Sequence, residues 1–162
     1  MNKLKYDNYM HIGVIVKNIE DTLAKMEKIF DLGEYRINEF PPENENDLQL
    51  MYMGTKENFS ARFCFIKMKD TELELIEPVS GKSVWIDFLN EYGEGIHHLK
   101  YEVESLNDTI TYFKSIGIEC TQYGSAVGPN KGKTWAYFDT YDLLGYVVEV
   151  LNNNTNEKVN IK

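Results

Sequence analysis

Two hydrophobic rhythms alternate along the chain, and their order repeats. "YMHIGVIV" (9–16) is apolar and rich in β-branched residues, which predicts a strand. In "NIEDTLAKMEKIF" (18–30), Ile19, Leu23, Met26 and Phe30 recur at helical spacing, and Asn18 can cap the first turn. "EYRINEF" (34–40) alternates with the period of a strand and stops at Pro41-Pro42. An acidic, polar stretch follows, with "LQLMYMG" inside it as a further candidate strand. "ARFCFIKM" (61–68) and "ELELIEP" (72–78) read as a hairpin turned at "KDT", and "SVWIDFLNEYG" (83–93) as a short helix.

The pattern then starts over. "IHHLKYEV" (96–103) predicts a strand, and "SLNDTITYFKSIG" (105–117) a helix capped by Ser105 and closed by Gly117. "IECTQYG", "TWAYFDT" and "GYVVEVLN" read as three more strands, separated by the glycine-rich loop "GSAVGPNKGK" (124–133). Laying His11 on His98, an offset of 87, places "HIGVIVKNIEDTL" over "HLKYEVESLNDTI". Val16 then meets Val103, Ile19 meets Leu106, and Asp21-Thr22 meets Asp108-Thr109. This is an internal repeat of two β-α-β-β-β units, about 8–78 and 95–151, within a single domain over 1–162. Helix 83–93 links them, and the polar tail 152–162 is expected to fray.

Strand alternation sorts the side chains of each half. Ile12, Val14 and Val16 take the helix side of the first strand, leaving His11 and Gly13 on the other face. Leu99, Tyr101 and Val103 do the same in the second half, leaving His98 and Lys100, and His97 points away from His98, left to pack or hydrogen-bond behind the site. In "ELELIEP" the open face carries Glu72, Glu74 and Ile76; in "GYVVEVL" it carries Glu149. Two imidazoles and two carboxylates facing one concave surface suit a divalent transition metal such as Zn, Ni, Co or Mn. The competing reading is a set of ordinary strand residues, hydrogen-bonded or solvated.

Composition narrows the rest. The chain is 43% hydrophobic and 27% charged, enough for a sizeable core, and its net charge of −9 excludes a nucleic-acid partner. No stretch approaches the roughly 18 apolar residues of a membrane span. The N-terminus lacks the apolar core of a secretory signal, and Cys64 and Cys120 form no motif, so a reduced cytoplasmic protein is expected.

The residues "ELELIEP", "SVWIDFL", "GEGIHHLKYEVESL" and "GK-TWAYFDTYDLLGYVVEV" resemble the vicinal oxygen chelate superfamily over roughly 8–151, and within it the methylmalonyl-CoA epimerases. The resemblance implies an α+β, glyoxalase-like fold: two tandem βαβββ modules forming a curved mixed sheet around a metal site. It implies one divalent metal held by His11, Glu74, His98 and Glu149, and an isomerase or epimerase working through a metal-stabilised enolate. Glu149 is the candidate base, and Lys100 either meets a substrate carboxylate or reaches solvent. Lys131 and Lys133 could lie near a CoA phosphate, although a mobile surface loop is the simpler reading. The expected partner is a small molecule, an acyl-CoA or other thioester or carbonyl compound, and the expected assembly a homodimer.

Two departures stand out. Residues 41–58 look inserted, as a lid or an oligomer contact, and "ARFCFIKM" offers no second carboxylate for a two-base epimerase. A glyoxalase I (lactoylglutathione lyase) is the nearest rival. A non-enzymatic drug-binding protein of the same fold is the reading from another class, and retention of all four ligand types argues against it.

Overall fold

A computed structural model describes residues 3–45, 47–155 and 157–159. Its strands are β1 (Tyr9–Ile15), β2 (Tyr35–Phe40), β3 (Leu50–Tyr52), β4 (Thr55–Lys56), β5 (Ser60–Met68), β6 (Thr71–Ser80), β7 (Gly95–Val103), β8 (Cys120–Ser125), β9 (Thr134–Phe138) and β10 (Val147–Asn152). The helices are α1 (Ile19–Met26), α2 (Val84–Tyr92), α3 (Leu106–Ser115) and α4 (Tyr141–Leu144). None is long and apolar enough to cross a membrane.

All ten strands join one mixed sheet in the order β2-β5-β6-β1-β7-β10-β9-β8-β3-β4. The repeat is visible in that order. In each half the first strand lies parallel to the last, β1 against β6 and β7 against β10, and the halves meet where β1 runs antiparallel to β7. Asn18 and Ser105 cap their helices as expected, each accepting from the backbone N–H three residues on. The first N–H groups are satisfied the same way in both halves, Ile19 by Glu77 and Leu106 by Glu157.

Alternation then gives three cores. Val16, Ile19, Leu23 and Leu75 bury α1 on the outer face of the first half, and Val103, Leu106, Phe113 and Val150 bury α3 on the second. The concave face holds an aromatic cluster: Phe40, Phe59, Trp85, Phe88, Trp135 and Tyr137, with Ile15, Ile76 and Leu151.

Three expectations change. Helix α1 stops at Met26, because Phe30 is 57% exposed and adds no packing to hold another turn. The tail does not fray from Asn152: that residue is buried, and Glu157 returns to Ser105, Leu106 and Asn107 at the start of α3. Asn156 and residues 160–162 lie outside the described residues. The stretch 41–58 crosses to the far side of the cup, where β3 pairs with β8 and Tyr52 Oη donates to Asp87 of α2 at 2.6 Å. The last change concerns His97. Gly13 pairs with His98 while Val14 pairs with Ile96, so His97 is the extra residue of a β-bulge. Its ring packs on Phe88 and Tyr137, on the same concave side as His98. Met10, its equivalent in the repeat, is the extra residue of a matching bulge before His11.

Gly13 is where the two halves come closest. A Cβ there would lie 1.8 Å from His98 Cε1, so the imidazole occupies the space a side chain would need. Gly13→Ala is therefore expected to destabilise the fold by about 1–3 kcal/mol or more, read as a lower midpoint in urea denaturation.

Candidate metal centre

The four predicted ligands come together because register and repeat agree. Glu74 pairs with Gly13, two residues after His11, and Glu149 pairs with Lys100, two residues after His98. Each parallel pair therefore sets a carboxylate diagonally across from an imidazole on the concave face. His11 is 4% exposed, Glu74 5%, His98 0% and Glu149 2%.

The donor atoms are Nε2 of each histidine and Oε2 of each glutamate. His11 and His98 Nε2 are 3.3 Å apart. Glu74 Oε2 lies 3.3 Å from His11 and 3.2 Å from His98; Glu149 Oε2 lies 3.6 Å and 3.0 Å from the same nitrogens. Ligands bound roughly 2.0–2.2 Å from a common ion stand roughly 2.8–3.6 Å apart at tetrahedral or right-angled positions. All five separations fall in that range, and the four atoms lie within 4.8 Å of one another. Neither Oε2 makes a well-directed hydrogen bond, although both sit at ion-pair distance from imidazole. Acceptor atoms converging on one point fit a cation.

The surroundings set the protonation of the donors. Burial lowers the pKa of His11, but the Glu74 charge and the close approach of the Glu149 and Glu74 carboxylates outweigh it and raise it to about 9. Burial raises that of Glu74, and the two histidines more than reverse this, taking it down to about 2. Burial raises that of Glu149 too, but Lys100 and then His98 hold it well below the carboxylate range. Lys100 Nζ lies 2.9 Å from Glu149 Oε1, on the side of the carboxylate turned away from the centre.

His97 completes the arrangement from behind. Its Nδ1 is 3.0 Å from His98 Nδ1. Burial, then the charge of His98, pushes the His97 imidazole well below its ordinary range, so it is neutral and can accept. A proton on His98 Nδ1 shared with His97 leaves the His98 Nε2 lone pair for the centre. Strand alternation alone could not find this, since the bulge breaks it; the pairing of Met10 with His97 under the offset is the only sequence trace.

Beside the donors opens a cavity of about 530 Å³. Glu74, Glu149 and Lys100 form one part of its lining, and Phe63, Phe65, Trp85, Trp135 and Tyr137 much of the rest. The inward residues of β5, Ala61, Phe63 and Phe65, include no carboxylate, in line with the sequence. Lys131 and Lys133 do not line the cavity. Lys131 Nζ is bonded to Glu45 at 2.7 Å, and Lys133 Nζ to Asn153 Oδ1 at 3.3 Å.

Comparison with known proteins agrees with this architecture. The uncharacterized protein YqjC of Bacillus subtilis is 24% identical over 140 residues, covering 86% of this chain and 88% of its own. A hypothetical protein from Bacillus halodurans superposes with a TM-score of 0.55 at 22% identity, over 94% of this chain and 97% of that one. Methylmalonyl-CoA epimerase from Mycobacterium tuberculosis gives 0.56 at 15% identity, over 95% and 93%. At such identities the likeness is one of fold. Residues 10–137 match the model of the Glyoxalase/Bleomycin resistance protein/Dioxygenase superfamily, and the chain belongs to that superfamily.

Proposed function

We propose that this protein is a divalent-metal-dependent isomerase of the epimerase type, acting at a carbon next to a carbonyl group. The observation that carries the reading is the spacing of the four buried donor atoms, 3.0–3.6 Å for the five separations given above, at the edge of a cavity. An ion held by His11, Glu74, His98 and Glu149 would polarise the carbonyl and stabilise the negative charge left when the carbon-bound proton is removed.

The protein's own residues then have distinct tasks. Glu149 is the group proposed to take up and return the proton, since its Oε1 faces away from the other donors and its strand faces the cavity. Lys100 holds that oxygen in place. His97 orients His98. The aromatic cluster excludes water from the reacting carbon, and the neutral phenol of Tyr137, whose pKa burial and then Glu149 push well above its ordinary value, offers a proton donor beside Glu149.

Metal analysis tests the reading directly. The purified protein should contain about one divalent ion per chain, and His98→Ala should lose it. His97→Leu should weaken binding about 10- to 100-fold, as loss of a partner behind a metal-bound histidine does. Metal content unchanged in His98→Ala would refute the centre.

Substrate chemistry is checked by deuterium exchange at the α-carbon of methylmalonyl-CoA, set against turnover of the methylglyoxal–glutathione adduct. Exchange alone supports the epimerase branch and adduct turnover the lyase. Either activity should fall at least about 100-fold in Glu149→Gln, whose amide cannot accept the proton.

The pH dependence has a definite sign. A pKa of about 9 on His11 means that the metal-free centre holds a proton at neutral pH which a metal must displace. Apparent metal affinity should therefore rise about tenfold per pH unit from neutrality towards 9. Calorimetry in buffers of different ionisation enthalpy should show about one proton released per ion at pH 7. For the metal-free fold the His11 contribution runs the other way: full below about 6.5, it is lost as pH rises through about 9.

A further inference from the structure

Beyond the four donors, the cavity combines one buried cation with a wall of aromatic rings. Lys100 is 9% exposed, and its ammonium meets Glu149 Oε1 at 2.9 Å. An ammonium carries three N–H donors, so one carboxylate oxygen leaves capacity on the cavity side. Among the described residues Lys100 is the one buried lysine or arginine, and its spare N–H groups offer a carboxylate charge-assisted hydrogen bonds.

The facing wall is apolar and incompletely covered. Phe63 and Phe65 stand stacked on β5, ring centroids 6.5 Å apart and 12° from parallel, and both are only half-buried although they face inwards. Trp135 and Trp85 continue this surface towards the interior. Among the described lining residues no cluster of cations awaits a chain of phosphates. Lys131 and Lys133 are engaged with Glu45 and Asn153, and the cavity rim sets Glu39 and Glu72 against Arg36 alone.

We propose that the site takes a small monocarboxylate bearing an aromatic or branched apolar group, as the free acid rather than as a CoA thioester. The carboxylate sits on Lys100 beside the centre, and the apolar group lies against Phe63, Phe65 and Trp135. This inference rests on the metal-centre reading above and narrows its substrate to one chemical class.

Both tryptophans of the chain, Trp85 and Trp135, line the cavity, so their emission reports its occupancy without any turnover. Uptake of zinc, nickel, cobalt and manganese is measured first, and the metal-loaded protein is then titrated with hydrocinnamate, its neutral isostere hydrocinnamamide, acetate and propionyl-CoA. Hydrocinnamate should bind about tenfold or more tighter than the amide, which lacks the charge, and than acetate, which lacks the ring. It should also bind more tightly than propionyl-CoA. In Lys100→Met the acid and the amide should become equal while the amide keeps its affinity. Equal binding of acid and amide, or tighter binding of propionyl-CoA, overturns the inference, and this holds for the native protein even if the variant does not fold. Metal uptake without preference for the acid overturns this inference alone; failure to take up any of zinc, nickel, cobalt and manganese overturns the centre and the inference together.

Discussion

The seam between β1 and β7 has to hold two carboxylates and two imidazoles out of water, and much of the architecture follows from that. A buried carboxylate without a counter-charge is among the costliest groups a fold can contain. Here each is met from several directions: Glu74 by His11 and His98, Glu149 by the same pair and by Lys100. Such convergence requires both parallel registers to be correct at once. A slip of one residue in β6 or β10 would turn its glutamate to the helix side and put Leu75 or Val150 in its place. The metal-free centre is tolerable because His11 carries a proton; with an ion present that proton is redundant.

The same seam explains why the halves cannot be identical. His98 lies over Gly13, and no side chain fits there. The equivalent position in the second half is Lys100, whose ammonium reaches Glu149. One side of the centre is filled by Phe88 of α2 and by His97. The other side is left open as the cavity. A symmetric duplication would give either two open sides or none.

The sequence makes the repeat, the caps, the strand faces and all four donors legible, because each depends on local periodicity or on one offset. What escapes it is non-local or breaks a period. The hairpin β3–β4 could not be placed, since joining β8 across the cup is decided by Leu50 and Phe59 entering the aromatic cluster, not by their own pattern. Alternation puts His97 on the face away from His98 because it assumes an unbroken ladder, and a bulge inserts one residue into it. The lysines of the glycine-rich loop illustrate a third limit: a cation in sequence has no visible partner, and Lys131 finds Glu45 from a segment 86 residues away.

Positions that obey the repeat and positions that violate it divide the work. Ile76 and Leu151 are equivalent and both fill the core; Glu74 and Glu149 are equivalent and both face the centre. These pairs make a scaffold and a candidate ion site that a duplication supplies at once. Glu72 and Val147 are equivalent in register yet differ in kind, as do Gly13 and Lys100, Phe65 and Tyr137, and Arg36 and Gln122. Glu72, Lys100, Phe65, Tyr137 and Arg36 all line the cavity. Divergence between the halves has thus accumulated where a substrate would lie. Selectivity in this chain is therefore to be sought in its broken symmetry, and the ion site in the symmetry that remains.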